Sequence, residues 1–301
     1  MAARVAVAVV SWNTRDLLRG CLASLAADAA SGFAEVCVVD AGSADGSAAM
    51  ARAEFAWARV VERPENPGYG AAVNAGLAAL GGAAEWVACA NADVALEPGA
   101  LRALVAAGAR DAGAGAVAPR LVAPDGSTQH SVHPFPGVRF ALAHNAGLGR
   151  VSARWARARC LHGAWDPGVA RRVPWAVGAF LLVRRAAWEA VGGFDPARWM
   201  YAEDLDLGWR LARAGWATRY EPSARVRHDE AAATAQAWGD ARLARATAAQ
   251  YAWLRERRGA AVARGVAAAY VAGEAARWAL EPRRRPAHAA WARLHAAGLR
   301  A

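Results

Sequence analysis

VAVAVVSWNTRDLLRGCLASLAADAASGFAEVCVVDAGSADGS (residues 5–47) decides the fold. It opens on Val5–Val10, an unbroken run of Val and Ala, the pattern of a strand buried on both faces. Thr14 stands where a helix N-cap is expected, and Leu17, Leu18, Cys21, Leu22 and Leu25 then fall on one helical stripe. A second Val-rich run, Val36–Val39, ends at Asp40, and the turn Gly42-Ser43-Ala44-Asp45-Gly46 leads into a further helix near 46–56. Strand, helix and strand in so short a span form the unit of a parallel sheet.

Working outward, the alternation continues. Arg59–Glu62 reads as a third strand, Pro64–Gly70 as a loop, Ala71–Leu80 as a helix and Trp86–Ala90 as a fourth strand ending at Asn91-Ala92-Asp93. Pro98 is expected to open the next helix. Ligands of such sheets bind beyond the carboxyl ends of the strands. Ser11, Asn13, Asp40, Asn91 and Asp93 are expected to converge there. Beyond residue 120 the alternation breaks. Pro124-Asp125-Gly126-Ser127 reads as a hairpin-type turn and 139–172 as an Arg-rich insertion or mobile loop. Val177–Val183 reads as a strand, Ala186–Val191 as a short helix, and Asp204–Ala214 as a helix closed by Gly215. Extended segments then run to His228, and 231–301 reads as Ala/Arg-rich helix.

Composition sets the outer limits. At 301 residues and 56% hydrophobic, the chain can bury a large core and is not disordered. All 36 basic residues are Arg, Ala exceeds a quarter of the chain, and the net charge is +10. Residues 1–138 hold 9 Arg against 13 acids, whereas 139–301 hold 27 Arg against 13 acids, so the second half is expected to meet something anionic. Cys21, Cys37, Cys89 and Cys160 have neither CxxC nor zinc spacing and read mainly as small core residues. No apolar run is long enough to span a bilayer. The chain is expected to be cytoplasmic, with peripheral contact at the inner face of the cell membrane open.

Each polar residue at a strand end has a plain structural reading. Asp40 and Asn91-x-Asp93 can cap turns, Glu203-Asp204-x-Asp206 can be the acidic first turn of a helix, and His228 can be a surface histidine. Their order changes that balance. VVSWN (9–13), VVDAGSADGS (38–47), NPGYGAAVNAG (66–76), CANADV (89–94), VGAFLLVRRAAWEAVGGFD (177–195), MYAEDLDLGWRLARAGW (200–216) and EPSARVRH (221–228) together resemble the bacterial family 2 glycosyltransferases, in particular their rhamnosyltransferase-like branch. The resemblance covers roughly residues 4–230.

The resemblance implies a GT-A fold: a Rossmann-like, mostly parallel mixed α/β sheet over 1–230, followed by a C-terminal helical extension over 231–301. Within it, 1–120 would bind a nucleotide-sugar donor and 121–230 the acceptor. The implied reaction is inverting transfer of a sugar, L-rhamnose being one candidate, from a dTDP- or UDP-sugar to a cell-surface glycan or a polyprenyl-diphosphate-linked acceptor. Asp40 would bond the base edge, with Ser11 and Asn13 lining the same pocket. Asn66, Gly68 and Gly70 would let backbone approach the donor at a helix N-terminus, with Asn74 nearby. Asn91 and Asp93 occupy the family's DxD position, where Mg2+ or Mn2+ would sit with His228 as a further ligand. The sequence departs from DxD in having Asn first, as the Asn-Pro-Asp variant of the rhamnosyltransferase-like branch does, and from that variant in having Ala in place of Pro. Asp204 would be the catalytic base with Glu203 orienting it or the acceptor, Asp206 structural, and Gly178 with Ala179 leaving the acceptor room. Trp175 and Trp199 can stack on the acceptor sugar or, in a chain with 14 Trp, simply pack in the core.

Outside those motifs, Arg150, Arg154, Arg157, Arg159, Arg171, Arg172, Arg184 and Arg185 suit a lipid diphosphate or form a solvated face. Leu243, Thr247, Tyr251 and Leu254 make a mostly apolar stripe that suits a membrane surface, the catalytic domain or a second copy of the chain. A nucleotidyltransferase would carry a glycine-rich signature with a catalytic Lys or Arg near its N-terminus, which this chain lacks. No pattern for nucleic acid is evident. The remaining alternative is a degenerate fold of this type serving as a binding or scaffold protein.

Overall fold

The computed structural model describes residues 4–161, 164–229, 238–239 and 241–300. The first run contains β1 (Val5–Ser11), α1 (Arg15–Ala30), β2 (Ala34–Ala41), α2 (Ser47–Glu54), β3 (Arg59–Arg63), α3 (Tyr69–Leu80), β4 (Trp86–Asn91), β5 (Val94–Leu96), α4 (Ala100–Arg110), β6 (Ala114–Val122) and β7 (Val132–His133). Three helices follow: α5 (Val138–Asn145), α6 (Leu148–Val151) and α7 (Ala153–Ala158). Then come β8 (Arg171–Val173), β9 (Trp175–Ala176), β10 (Phe180–Arg184), α8 (Arg185–Val191), α9 (Glu203–Arg213) and β11 (Ala217–His228). The chain closes with α10 (Ala241–Arg258), α11 (Ala260–Leu280) and α12 (Arg285–Ala296). It divides into two compact units, Met1–His133 with Asp166–Ala237, and Pro134–Trp165 with Trp238–Ala301.

The first unit is built on a sheet of order β3-β2-β1-β4-β10-β6-β11-β5, with β8 paired to β11. β1, β2, β3, β4, β6 and β11 run one way, and β5, β8 and β10 run against them. The sheet is therefore mixed and mostly parallel, as the sequence predicts. Leu18, Cys21, Leu22 and Leu25 of α1 are buried against Val5, Val7, Val9, Val36, Val38 and Trp86. On the other face, Ala72 of α3 closes over Cys37 and Val39. All four cysteines are buried, and none is in a disulfide. Residues 123–127 form the expected turn, with the Ala123 N–H bonded to the Ser127 carbonyl.

Several local expectations are corrected. Thr14 occupies the N-cap position of α1, but its hydroxyl lies 3.1 Å from the Ser11 hydroxyl, and the Arg15 N–H is held by Asp45 Oδ2 instead. Pro98 lies in the turn before α4, which starts at Ala100 after the left-handed Gly99. The stretch read as insertion or mobile loop carries three helices and β8. β6 has no counterpart in the sequence reading, because its Ala-Gly-Ala-Val-Ala run has little β-branched signal.

The second unit is helical. Tyr251, Trp253 and Leu254 of α10 are buried, and the Tyr251 hydroxyl bonds His295 at 2.8 Å. The α10 stripe is thus turned inward, save Leu243 at 45% exposure, which removes it as a membrane-facing surface. Arg277 bonds Asn145, and buried His288 bonds Glu274 at 2.7 Å. Of the 231–301 extension, residues 231–237, 240 and 301 lie outside the described residues.

Candidate functional site

Strand register brings the expected residues to one edge of the first unit. Ser11 stands opposite Asp40, and Val10 opposite Asn91. β10 enters the sheet antiparallel with Phe180 opposite Ala90, so Gly178 and Ala179 sit at the same edge, and the Asn91 N–H donates to the Ala179 carbonyl at 2.8 Å. His228 ends β11 opposite Val94.

At the β1 and β2 ends, Ser11 and Asp40 are buried. Asp40 Oδ2 accepts the Ser43 N–H at 3.0 Å, while Oδ1 is buried with no hydrogen-bond partner. Asn13 adopts φ 53° and ties the two loops: its N–H donates to Ser43 Oγ and its Oδ1 accepts the Ala44 N–H. Asn13, Thr14, Arg15, Ala44 and Asp45 line an open groove of about 660 Å³. The arrangement leaves Asp40 Oδ1 as a fixed acceptor awaiting a donor.

At the β4 end, buried Asp93 faces buried His228, with Oδ1 and Nε2 3.5 Å apart and neither hydrogen-bonded. His228 Nδ1 lies 2.8 Å from Gln129 Oε1, and Gln129 Nε2 donates to the His228 carbonyl. A carboxylate oxygen and an imidazole nitrogen, both orphaned and adjacent, fit a hard divalent cation. Among the described residues, no group of three His, Cys, Asp or Glu side chains gathers for a metal. A metal here would take its remaining ligands from Asn91, water or a phosphate.

The glycine-rich loop departs from expectation. The Tyr69 N–H, first of α3, donates to the Trp199 carbonyl at 3.1 Å, so protein already covers that helix start. Gly68, at φ +87°, sits so close that a Cβ would overlap the Trp199 carbonyl, and a Cβ on Gly70 would lie 2.8 Å from Phe194 Cβ. The close approach these glycines permit is of protein to protein. Asn66 Oδ1 accepts the Gly68 N–H, and its carbonyl accepts the Trp199 indole N–H at 3.0 Å. Asn74 clamps Phe194, donating to its carbonyl and accepting its N–H. The loop and residues 194–199 form one hydrogen-bonded body.

That body supports the acidic pair. Tyr201 and Ala202 both take positive φ (65° and 61°), a strained entry that aims the first turn of α9. Asp204 Oδ2 accepts the Gly178 N–H at 3.1 Å, and Oδ1 accepts the Leu205 N–H at 2.7 Å. A Cβ on Gly178 would lie 3.3 Å from Asp204 Cβ, so the room this glycine leaves is taken by Asp204. The Tyr69 hydroxyl donates to the Gly178 carbonyl at 2.7 Å. Burial pushes Glu203 up to about 8, with the Asp204 charge adding to it, and its Oε2 has no hydrogen-bond partner. Burial also raises Asp204, opposed by its two backbone N–H donors. Burial thus raises both carboxyls, and a charge on Asp204 further favours a proton on Glu203. Asp206 is fully buried between Arg198 and Arg210 and is structural, as expected.

Trp175 leans on His133 (centroids 5.0 Å, 35°) beside Gly208, and Trp199 is 42% exposed. Of the arginines expected to meet phosphate, Arg172 pairs with Asp111 at 2.6 Å, Arg184 stacks on Trp86 and bonds the Gly108 carbonyl, and Arg185 bonds the Ala84 carbonyl. Arg184 and Arg185 are committed to the fold, whereas Arg172 is exposed in its ion pair and Arg150, Arg154 and Arg159 are exposed. Sequence reasoning missed Gln129, Ser43 and Tyr69. Ser43 and Tyr69 lie within quoted motifs, while Gln129 carries no motif signal.

A family model described as "Glycosyltransferase like family 2" matches residues 2–252. The chain is 38% identical over 239 residues, 76% of either chain, to the N-acetylglucosaminyl-diphospho-decaprenol L-rhamnosyltransferase of Mycobacterium tuberculosis. It is 43% identical over 56 residues, 19% of this chain and 21% of the relative, to rhamnosyltransferase WbbL of Escherichia coli K12. Among solved structures, mannosyltransferase PcManGT from Pyrobaculum calidifontis in complex with GDP-Man and Mn2+ superposes at TM-score 0.60, with 20% identity over 99% of this chain and 86% of that one. GalNAc-T7 with UDP, GalNAc and Mn2+ superposes at 0.55, with 14% identity over 75% of this chain and 44% of that one.

Proposed function

This chain belongs to the glycosyltransferase-like family 2, has the GT-A fold and is a glycosyltransferase, and from that premise we propose that it transfers L-rhamnose from a dTDP-linked donor to a polyprenyl-diphosphate-linked sugar with inversion. The sugar and the acceptor class follow the relative that is 38% identical. The observation that carries the site assignment is that four of the buried side-chain atoms without hydrogen-bond partners belong to residues of the expected site: Asp40 Oδ1, Asp93 Oδ1, His228 Nε2 and Glu203 Oε2.

In this reading Asp40 takes the N–H of the base, with Ser11, Asn13 and the groove beside them holding the nucleoside. Asp93 and His228, with Asn91, would hold a divalent cation, which supplies charge neutralisation to the departing diphosphate. Asp204 accepts the proton of the acceptor hydroxyl as its oxygen bonds the anomeric carbon and the bond from that carbon to the diphosphate oxygen breaks. Its two backbone N–H donors favour its charged form, and burial favours a proton on the neighbouring Glu203. Trp175 and Trp199 offer faces for the acceptor sugar. Asn66, Gly68, Gly70 and Asn74 act through the loop they hold rather than by touching the donor.

A polyprenyl acceptor lies in a membrane, and no described helix is long and apolar enough to cross one. The corner between α11 and α12 suits the anionic inner face of a cell membrane. Leu280 is 80% exposed beside Trp278, followed by exposed Arg283, Arg284 and Arg285, and Arg285 stacks on Trp278 at 4.3 Å.

A thermal-shift panel of dTDP-, UDP- and GDP-sugars, with and without Mn2+, tests the donor reading. A ligand at about 100 times its Kd adds roughly 2.7 kcal/mol of stability. A Mn2+-dependent shift with dTDP-rhamnose is expected. No shift with any nucleotide sugar would return weight to a degenerate binding fold.

A further inference from the structure

We infer that Gln129 is a positioning residue whose carboxamide holds His228 in the one ring state that leaves Nε2 open to a divalent cation beside Asp93. The inference rests on the proposed metal role of Asp93 and His228 and extends it to a residue with no motif signal of its own.

The carboxamide grips His228 at two points. Gln129 Nε2 donates to the His228 backbone carbonyl at 2.8 Å, and Oε1 lies 2.8 Å from His228 Nδ1. A peptide carbonyl has no proton to give, so the NH2 end of the carboxamide must face it. That fixes Oε1 against the ring, and an oxygen acceptor opposite Nδ1 requires a proton on Nδ1. The ring's available lone pair is thereby confined to Nε2. That nitrogen is buried, without a hydrogen bond, and 3.5 Å from Asp93 Oδ1, which is in the same condition.

Backbone contacts keep the partners in place. The Gln129 N–H donates to the Leu121 carbonyl at 2.9 Å, fixing the Gln129 backbone to β6. The Asp229 N–H donates to the Asp93 carbonyl at 2.9 Å, joining the end of β11 to the β4–β5 turn. A ligating histidine whose other nitrogen is held by an acceptor is pre-oriented and more basic, and loss of such a partner typically costs roughly 10- to 100-fold in metal affinity.

The test uses the full-length chain and two readouts other than transfer. The first is the ring state of His228 in the metal-free, 15N-histidine-labelled chain at about pH 8, above the ordinary range of histidine. His228 is assigned by its loss in His228→Asn. The wild type is expected to show the Nδ1–H tautomer, and Gln129→Leu a shift toward Nε2–H. The second is Mn2+ affinity in the presence of a nucleoside diphosphate, followed by electron paramagnetic resonance. Gln129→Leu is expected to lose roughly 10- to 100-fold, while Gln129→Glu, which still accepts the Nδ1 proton but has no N–H for the His228 carbonyl, recovers part of it. Thermal unfolding checks that each variant folds. An Nε2–H tautomer in the wild type overturns the inference, as does wild-type Mn2+ affinity in a folded Gln129→Leu. An Nδ1–H tautomer with Mn2+ affinity unchanged in His228→Asn overturns it through its premise, and identifies the metal role of His228 as what failed.

Discussion

The backbone N–H of Gly178 donates to Asp204 Oδ2 at 3.1 Å, so the first residues before β10 hold the carboxylate that opens α9. Through the bond from Asn91 N–H to the Ala179 carbonyl, the same segment is fixed to the end of β4. The proposed base is thus placed by the sheet.

A methyl group at Gly178 should disturb that placement without removing the hydrogen bond. Its Cβ would lie 3.3 Å from Asp204 Cβ. Gly178→Ala is expected to lower kcat by about tenfold, with donor affinity unchanged and stability lost by no more than about 1–3 kcal/mol. Steady-state kinetics beside donor titration separates these effects, and a fall in donor affinity alone would contradict the assignment.

Gly68→Ala should act on folding. The residue has φ +87° and its Cβ would overlap the Trp199 carbonyl, so strain and overlap combine. The expected loss is at least about 2 kcal/mol in denaturant unfolding. A loss below about 0.5 kcal/mol would mean that the 66–70 loop and the 194–199 segment are not one body.

Asp40→Asn should separate binding from stability. The variant keeps an oxygen for the Ser43 N–H but loses the charged acceptor at Oδ1. Nucleoside diphosphate affinity is expected to fall about 10- to 100-fold, as for loss of a charge-assisted hydrogen bond. Stability of the empty protein should hold within about 1 kcal/mol, because the wild-type oxygen is buried without a partner. Calorimetric titration and thermal unfolding give the two numbers.

Glu203 should make the empty protein less stable as pH rises. Its carboxyl is raised from 4.5 to about 8 by burial, with Asp204 adding to it. Between those values the folded chain keeps a proton that the unfolded chain has released, so stability falls across that window. Glu203→Gln should flatten the upper part of the profile, and a stability that rises from pH 5 to 8 in the wild type alone would refute the assignment.

Binding to anionic vesicles should depend on the α11–α12 corner. Replacing Arg283, Arg284 and Arg285 with Gln is expected to weaken binding to phosphatidylglycerol vesicles by well over tenfold, at about 1 kcal/mol per Arg. A control replacing exposed Arg15, Arg52 and Arg63 removes the same charge elsewhere. Equal losses in co-sedimentation would mean that net charge, not this corner, drives binding.

Much of the fold was legible because it is local. The Val-rich runs, the α1 stripe and the polar residues at the ends of β1, β2 and β4 appear in the order in which the sheet uses them. Asp40, Asp93, Asp204 and His228 stand after a strand or at a helix start, positions that are ambiguous alone; the ordered motifs that resemble the family single them out, and three of the four bear orphaned atoms. What failed was long-range. Gly68, Gly70 and Asn74 serve residues 194–199, and the Asn74–Phe194 bonds span 120 positions, which no local pattern encodes. Gln129 is one polar residue after a turn, and only folding brings it to His228, 99 positions away. The α10 stripe was readable as a stripe, but its partner helices decide that it faces inward.

The most direct test of the central claim is transfer by Asp204→Asn measured beside its donor binding. With dTDP-rhamnose and a polyprenyl-diphosphate-linked N-acetylglucosamine acceptor, kcat should fall about 10²- to 10⁴-fold, the usual contribution of a general base. Donor affinity should stay within about twofold, because no donor contact is assigned to Asp204. Turnover within about tenfold of wild type in the folded variant would remove Asp204 as the base and contradict the account.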